Sequence, residues 1–319
     1  MNSEVVYSPL VSTDSFKAIL NENEITVQST RDQKLTATFT ITDNELSLFF
    51  KDSNATDLKE LTDIALEHLF GFYSHVTRIQ LFQFTLADKD IFRSEFYQNP
   101  ALWTYKKKHT ITPERWTETK GRAHPVRPRL PSGTLYRRYY PAAGKTLSFR
   151  LITMDDLDIF HNWHNQSRVA HFWELAKPKE ELREYIQNGL NDPHQFPIII
   201  ESDGRPVGYF EFYWVAEDRL GPYYESEAFD RGFHFLIGEP SFLGGFNTDS
   251  AIKSVLHFFY LDDPRTRKVM AEPRHDNAKV LKYAQASIGW TKLKEFDFPH
   301  KRAALLENRR EVFFGRHAL

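Results

Sequence analysis

From Phe233 the chain sets an apolar run, Phe233-His234-Phe235-Leu236-Ile237, before a turn, Phe242-Leu243-Gly244-Gly245-Phe246-Asn247. Beyond the turn, Ile252, Val255, Leu256 and Phe259 recur at three- and four-residue spacing. The pattern predicts a strand, a tight turn and an amphipathic helix from about Thr248. Asn247 or Thr248 can cap that helix, and the glycines let the backbone turn so that its first N–H groups point outward. A helix start held open in this way has the form of an anion site.

The same reading divides the rest of the chain. Leu35 to Ile41 and Leu46 to Phe50 alternate as paired strands around Thr42-Asp43-Asn44, and Leu58, Leu61, Ala65, Leu69 and Phe72 share a helical face over Asp57 to Phe72. From Thr112 to Pro131 four prolines interrupt a segment carrying Arg122, His124, Arg127 and Arg129, which reads as extended linker. We therefore expect an N-terminal α+β domain over residues 1–111, a linker over 112–133 and a second domain over 134–319. In the last, Leu147 to Leu151 reads as a strand, Thr153 with Asp156 as a capping box, and Pro178 as the start of a second helix. Strands follow at Phe196 to Ser202 and Val207 to Trp214, then the strand-turn-helix above, then a strand at Lys268 to Glu272. A helix from Asn277 to Gly289 and strands at Trp290 to Phe296 and Glu311 to Phe314 complete the order β-α-α-β-β-β-α-β-α-β-β.

Composition narrows the function. With 41 Lys+Arg against 43 Asp+Glu the formal charge is −2, which gives no global pull toward nucleic acid or an anionic membrane. No apolar run is long enough to span a bilayer and the N-terminus carries no secretory pattern, so a cytoplasmic protein is expected. The absence of cysteine removes disulfides and thiolate chemistry. His161 and His164 lie three apart on a predicted helix with no third ligand in view, so no metal is expected.

The element order, with its glycine turn, resembles the GNAT family of acyl-CoA-dependent N-acyltransferases: an α/β (α+β) fold with a mixed central sheet flanked by helices. The family's pyrophosphate loop matches Leu243-Gly244-Gly245-Phe246-Asn247-Thr248, with Asn247 where a second glycine or alanine is common, and its helix-opening asparagine matches Asn277. His161-Asn162-Trp163-His164, Gly208-Tyr209-Phe210-Glu211, Phe233 to Gly238, Leu261-Asp262-Asp263-Pro264-Arg265-Thr266 and Lys294 to Lys301 resemble, more narrowly, the siderophore hydroxamate acyltransferases. Those enzymes acylate N-hydroxylated lysine, ornithine or diamines. The narrower resemblance also implies that the N-terminal half is a degenerate copy of the same fold.

The resemblance implies roles as well. His234 would be the base or hydrogen-bond partner of the N–OH group, and Asp276 the second polar catalytic residue. Acetyl-CoA or succinyl-CoA would lie along Phe235, Leu236 and Ile237, with its pyrophosphate on Leu243, Gly244, Gly245, Phe246, Asn247 and Thr248, Asn277 on the pantetheine and Tyr283 as a candidate proton donor to the thiolate. Trp163, His164, Trp173, Tyr209, Glu211 and Asp230 would surround a small N-hydroxylated amine, and siderophore-pathway enzymes would be the partners. A succinyl tail would need a cation, for which Arg168, Arg219 and Arg231 are the candidates. Two other readings share the pattern: an acyl-CoA-binding protein without catalysis, and an aminoglycoside-type N-acetyltransferase, which would draw on the acidic run Glu217, Asp218, Glu225, Glu227 and Asp230.

Overall fold

The computed structural model describes residues 2–82, 88–111, 113–286, 289–316 and 319. Among them, seven strands form one sheet in chain order: β1 (Ser3–Tyr7), β2 (Phe16–Asn21), β3 (Glu24–Ser29), β4 (Lys34–Thr42), β5 (Glu45–Ser53), β6 (Arg78–Phe82) and β7 (Lys89–Phe92). Helix α1 (Lys59–Phe72) crosses from β5 to β6, which run parallel, whereas every other pair is antiparallel. After the short α2 (Arg93–Phe96) the expected linker contains a hairpin, β8 (Trp116–Thr119) and β9 (Arg122–Pro125). Its turn residues Lys120 and Gly121 both take positive φ, the geometry of a two-residue hairpin turn. The prolines hid that hairpin. The linker's first expected residue, Thr112, lies outside the described residues.

The second sheet begins with β10 (Thr134–Tyr140) and β11 (Lys145–Leu151), followed by α3 (Leu157–His164), α4 (Ser167–Trp173) and α5 (Lys179–Asn191). Next come β12 (Gln195–Ser202), β13 (Arg205–Trp214), β14 (Arg231–Ile237), α6 (Gly245–Asp262), β15 (Lys268–Ala271), α7 (Ala278–Ala286), β16 (Trp290–Asp297), β17 (Arg302–Arg309) and α8 (Arg310–Gly315). The spatial order is β10-β11-β12-β13-β14-β15-β17-β16. Only β14 and β15 are parallel. Up to the parallel strand this repeats the first sheet, five antiparallel strands, a helix and a parallel strand, with α3 to α5 added between the second and third strands; beyond it the first sheet has one further strand and the second has α7 and two.

Several expectations shift. Strand β10 and helix α4 were not foreseen, and Glu311 to Phe314 is helical rather than extended. Phe313 and Phe314 look strand-like in sequence, but both pack on Tyr260, and Arg310 Nη1 donates to the Tyr260 carbonyl (2.7 Å), which sets the chain turning there. The last strand is instead β17. The helix expected to reach Gly289 crosses residues 287–288, which lie outside the described residues.

Helix α6 was expected to bury one face. It is buried almost all round from Ser250 onward, because both sides are covered. Phe258 and Phe259 pack on Phe212 of the second sheet, while His257 Nε2 donates across to the Tyr97 carbonyl (2.7 Å) and the ring lies on Trp103. One apolar cluster therefore runs through both halves. A buried ion pair joins them: Arg138 Nε donates to Glu67 (3.0 Å), which also accepts from the Trp103 indole (3.3 Å). Replacing Glu67 with alanine would leave Arg138 buried and unpaired, and should cost about 3–5 kcal/mol. Urea unfolding should show the midpoint falling accordingly; an unchanged midpoint would mean that the pair does not hold the halves together.

Candidate active site

The site grows from the two-residue alternation of β13 and β14. Tyr209, Glu211 and Tyr213 lie opposite Leu236, His234 and Gly232, so all six face the same side of the sheet. Phe210, Phe212, Phe233 and Phe235 face the other side, and Phe212 and Phe233 reach α6 there. Helices α3 and α5 cover the first side, where Phe160 meets Tyr209 edge-on at 4.9 Å. Gly232 has a specific use: a Cβ there would lie 2.3 Å from ring carbons of Tyr213. That close approach lets the Tyr213 hydroxyl reach Glu272, the first residue past β15, at 2.9 Å.

His234 sits between two carboxylates. Its Nδ1 is 3.1 Å from Glu211 and its Nε2 is 2.9 Å from Glu272. Both acids are buried, whereas the His234 side chain is 23% exposed. Burial pulls the imidazole pKa down, but Glu272 and Glu211 more than offset it and push it up to about 10. Burial pushes the Glu272 carboxyl up, but the His234 charge, with help from Lys301 and Tyr213, holds it down at about 2. Glu211 is likewise held below its ordinary range against burial, by His234 first and then by the hydroxyls of Tyr185 and Tyr209, which both donate to it. At neutral pH the group is an imidazolium between two carboxylates, with a net charge of −1.

The group stands where the sheet opens. Strands β14 and β15 pair only at Arg231↔Val269 and Gly232↔Met270, so Phe233 to Ile237 has no ladder partner on that side. In the first sheet the corresponding strands stay paired over five positions, from Glu45↔Arg78 to Phe49↔Phe82. Beyond the opening lies the start of α6. Gly244 has φ 130°, and a Cβ on Gly244 or Gly245 would meet nothing within 4 Å. Thr248 N bonds back to Gly244 O (3.0 Å), leaving the N–H groups of Gly245, Phe246 and Asn247 ahead of the helical ladder, with Leu243 and Phe246 exposed beside them. A gap with unpaired backbone that leads to a helix start suits an extended amide-bearing chain ending in phosphates.

The expected site residues divide in two. Glu211, Tyr209 and His234 come together, and Trp173 lines them, with its ring centre 5.7 Å from Tyr209 and 6.4 Å from His234. His164 lies behind Trp173, fully buried, with Nδ1 on the Phe160 carbonyl (2.9 Å) and no partner for Nε2. Trp163 points elsewhere, packing on the backbone of Gly238 and donating to Glu239 (2.8 Å). Asp230 belongs to a separate group with Tyr224 (2.8 Å) and Lys268 (3.4 Å). Asp276 is exposed and paired with Arg274 (3.1 Å), so the carboxylate on His234 is Glu272 and not Asp276. Asn277 caps α7 through Val280 N (3.3 Å), and Tyr283 donates to Asp249 in the second turn of α6 (2.9 Å). Glu272, Tyr185 and Tyr213 were not singled out. A signal for Glu272 was present, since ligand sites in such sheets gather at the carboxyl ends of parallel strands.

A second cluster gathers His124, His194 and Glu217 with metal-ligand spacing. Both Nδ1 atoms approach the same Glu217 oxygen, at 3.3 and 3.1 Å, and the Arg127 guanidinium bonds that oxygen as well. The positive charge that a metal would bring is already supplied by Arg127.

Comparison with known proteins agrees with this geometry. Residues 153–298 match the model of the acetyltransferase (GNAT) domain. The chain is 38% identical over 226 residues to an N(6)-hydroxylysine O-acetyltransferase of Escherichia coli, a match covering 70% of this chain and 71% of that protein. It is 36% identical over 220 residues to an N(5)-hydroxyornithine:cis-anhydromevalonyl coenzyme A-N(5)-transacylase of Beauveria bassiana, covering 65% of this chain and 48% of the relative. The solved structure of an uncharacterized protein from Bacillus halodurans superposes with a TM-score of 0.54 at 32% identity, over 57% of this chain and 93% of its own. The protein is a GNAT acyltransferase, using an acyl-CoA donor. Within that class the chain belongs to the siderophore hydroxamate acyltransferases. No helix among the described residues is long and apolar enough to cross a membrane.

The charge arrangement gives a signed expectation. His234 is raised from 6.5 to about 10, so its stabilising contribution is complete below about pH 6.5 and is lost as pH rises through about 10. Glu272 is lowered from 4.5 to about 2, so its contribution is complete above about pH 4.5 and is lost as pH falls through about 2. Replacing His234 with alanine leaves two carboxylates facing each other and should cost about 3 kcal/mol, at the low end for a broken buried pair because the imidazole is partly exposed. Thermal unfolding should show the largest loss between those two limits, with partial recovery in the double variant with Glu272→Gln. No recovery would refute the pairing.

Proposed function

We propose that this enzyme acetylates the hydroxylamine nitrogen of N-hydroxylysine, or of an N-hydroxylated diamine, from acetyl-CoA, forming the hydroxamate of a siderophore. The observation that carries the reading is the Glu211–His234–Glu272 group at the mouth of the gap between β14 and β15. The E. coli relative acts, by its name, on N(6)-hydroxylysine, and the Beauveria relative on N(5)-hydroxyornithine, which supports an acceptor of this class.

A hydroxylamine nitrogen is largely neutral at cellular pH and can attack a thioester without prior deprotonation. As the C–N bond forms and the C–S bond breaks, one proton must leave the nitrogen and one must reach the thiolate. His234 with both nitrogens held by carboxylates is a poor lone base at neutral pH. We assign the proton acceptor to the three-residue unit, whose protons are shared, rather than to the imidazole alone. Trp173 and Tyr209 supply the wall that orients the acceptor. Tyr283, held by Asp249, lies on the α6 side and is assigned to the CoA end.

Free-thiol release from acetyl-CoA tests the reading. Release should occur with N-hydroxylysine or N-hydroxycadaverine and not with lysine or cadaverine, and the product should colour with ferric iron, as a hydroxamate does and an O-acetyl product does not. His234→Ala should reduce turnover about 100-fold or more while acetyl-CoA affinity stays within a few-fold. Acetyl-CoA binding without thiol release from any acceptor would favour a non-catalytic protein. The α6 start can be tested separately. Since a Cβ on Gly245 meets no protein atom within 4 Å, Gly245→Val should leave the melting temperature nearly unchanged yet weaken acetyl-CoA binding about 10-fold or more by calorimetry. Unchanged affinity would move the phosphates elsewhere.

A further inference from the structure

Three arginines flank this site in sequence, and the structure occupies two of them. Arg168 donates to the carbonyls of Ile237 (2.7 Å) and Gly238 (2.6 Å), bracing the far end of β14. Arg231 is fully buried, bonded to Asp262 (3.0 Å) and lying over the Trp214 ring (3.9 Å). Arg219 differs. It is exposed on the loop after β13, and among the described residues it forms no ion pair or hydrogen bond.

Its guanidinium lies 5.8 Å from the ring centre of Phe298, in the β16–β17 turn. Two more basic side chains share that ring: Lys301 Nζ at 5.6 Å, and the His300 imidazole stacked at 5.3 Å. Phe298 is buried, and Tyr223 packs on it at 4.7 Å, so the ring is a fixed platform. Lys301 connects the platform to the reactive group. It donates to the Glu272 carbonyl (2.8 Å) and lies 3.9 Å from the Glu272 carboxylate, which holds His234. The Arg219 charge also acts on Tyr185 and Tyr213, where it opposes the upward push of burial on those phenols. Those hydroxyls donate to Glu211 and Glu272, so the guanidinium is on the acceptor side of the sheet.

Three bases around one ring repel one another. Burial lowers His300 and Lys301 first, and Arg219 lowers both further. Glu272 offsets part of this at Lys301, whereas Asp218 accepts from the backbone of Leu220 (2.9 Å) and Glu174 acts on His300 without forming an ion pair, so Arg219 is left without a carboxylate partner among the described residues. An anion placed there would be stabilised by the charges of Arg219 and Lys301, with the His300 ring, whose pKa is held below its ordinary value, offering only a neutral N–H, and a guanidinium fork matches a carboxylate.

We propose that Arg219, with Lys301 and His300 around Phe298, binds the α-carboxylate of the acceptor, so that the enzyme selects an N-hydroxylated amino acid over the diamine that lacks that group. This rests on the hydroxamate reading above. The hydroxylamine end lies at His234 and the carboxylate end at Arg219, with Lys301 spanning the two.

The test compares the full-length wild type with Arg219→Gln and Arg219→Lys, using acetyl-CoA with N-hydroxylysine and with N-hydroxycadaverine, which differ only in the carboxylate. Wild type should prefer N-hydroxylysine. Arg219→Gln should lower the kcat/KM ratio between the two acceptors roughly 10- to 100-fold, chiefly through the KM for N-hydroxylysine, and Arg219→Lys should recover part of it. Equal use of both acceptors by the wild type, or a ratio unmoved in Arg219→Gln, overturns the proposal and leaves the hydroxamate reading standing. So does a rise in the KM for succinyl-CoA over acetyl-CoA at an unmoved acceptor ratio, since the carboxylate would then be the donor's. Thiol release with neither acceptor overturns both. Unaltered acetyl-CoA affinity in Arg219→Gln confirms that the variant is folded.

Discussion

A parallel pair of strands that separates after two residues leaves backbone donors and acceptors facing a gap. In this protein that separation fixes where everything else must be. The gap lies between β14 and β15, and the start of α6 stands at its far end. An extended chain carrying amides can take up the ladder bonds that the second strand forgoes, and its phosphates then meet N–H groups that no helix carbonyl uses. The first sheet has the same strand order up to its parallel strand, but its parallel pair stays closed over five positions. Repetition of the topology therefore does not repeat the site, because the opening is what the first sheet lacks.

The second constraint is the cost of burying carboxylates. Glu211 and Glu272 are both nearly inaccessible, and each would protonate unless a cation and hydrogen-bond donors compensated it. His234 supplies the charge to both at once, and three tyrosine hydroxyls occupy the remaining lone pairs. The same solution appears at Glu217 with Arg127 and two histidines, and at Asp262 with Arg231 and Lys106. Those two groups are closed structural clasps. Of the three, the His234 group is the one that stands at the opening of the sheet.

How far the sequence could be read follows from how local each signal was. The strand that carries Tyr209 and Glu211 and the turn at Gly244-Gly245 are set by neighbouring residues, and both were legible. Helix α8 was misread because paired phenylalanines look extended until Tyr260 is known to cover them. Asp276 was named and Glu272 was not, although both lie in one motif, because only the folded chain shows that Glu272 reaches His234 while Asp276 pairs with Arg274. Trp163 and Asp230 were assigned to the pocket on residue type, whereas their partners, Glu239 and Tyr224, come from loops whose path no periodicity reports. Arg219 could be listed but not separated from Arg168 and Arg231, since all three are loop-proximal arginines until their acceptors are seen.

The N-terminal half acts on the site through one end of α6. Tyr105 and Lys106 both bond Asp262 at the last turn of that helix, at 3.0 and 2.7 Å, and Asp262 in turn holds Arg231, the first residue of β14. Tyr97 and Trp103 cover His257 one turn earlier. These contacts all fall where β14 and β15 are still paired, and none reaches the helix start at Gly245. Through these contacts the N-terminal half anchors the closed end of the gap. On that account it is a brace: its loss would loosen the pairing at Arg231↔Val269 and so alter the angle at which the strands diverge.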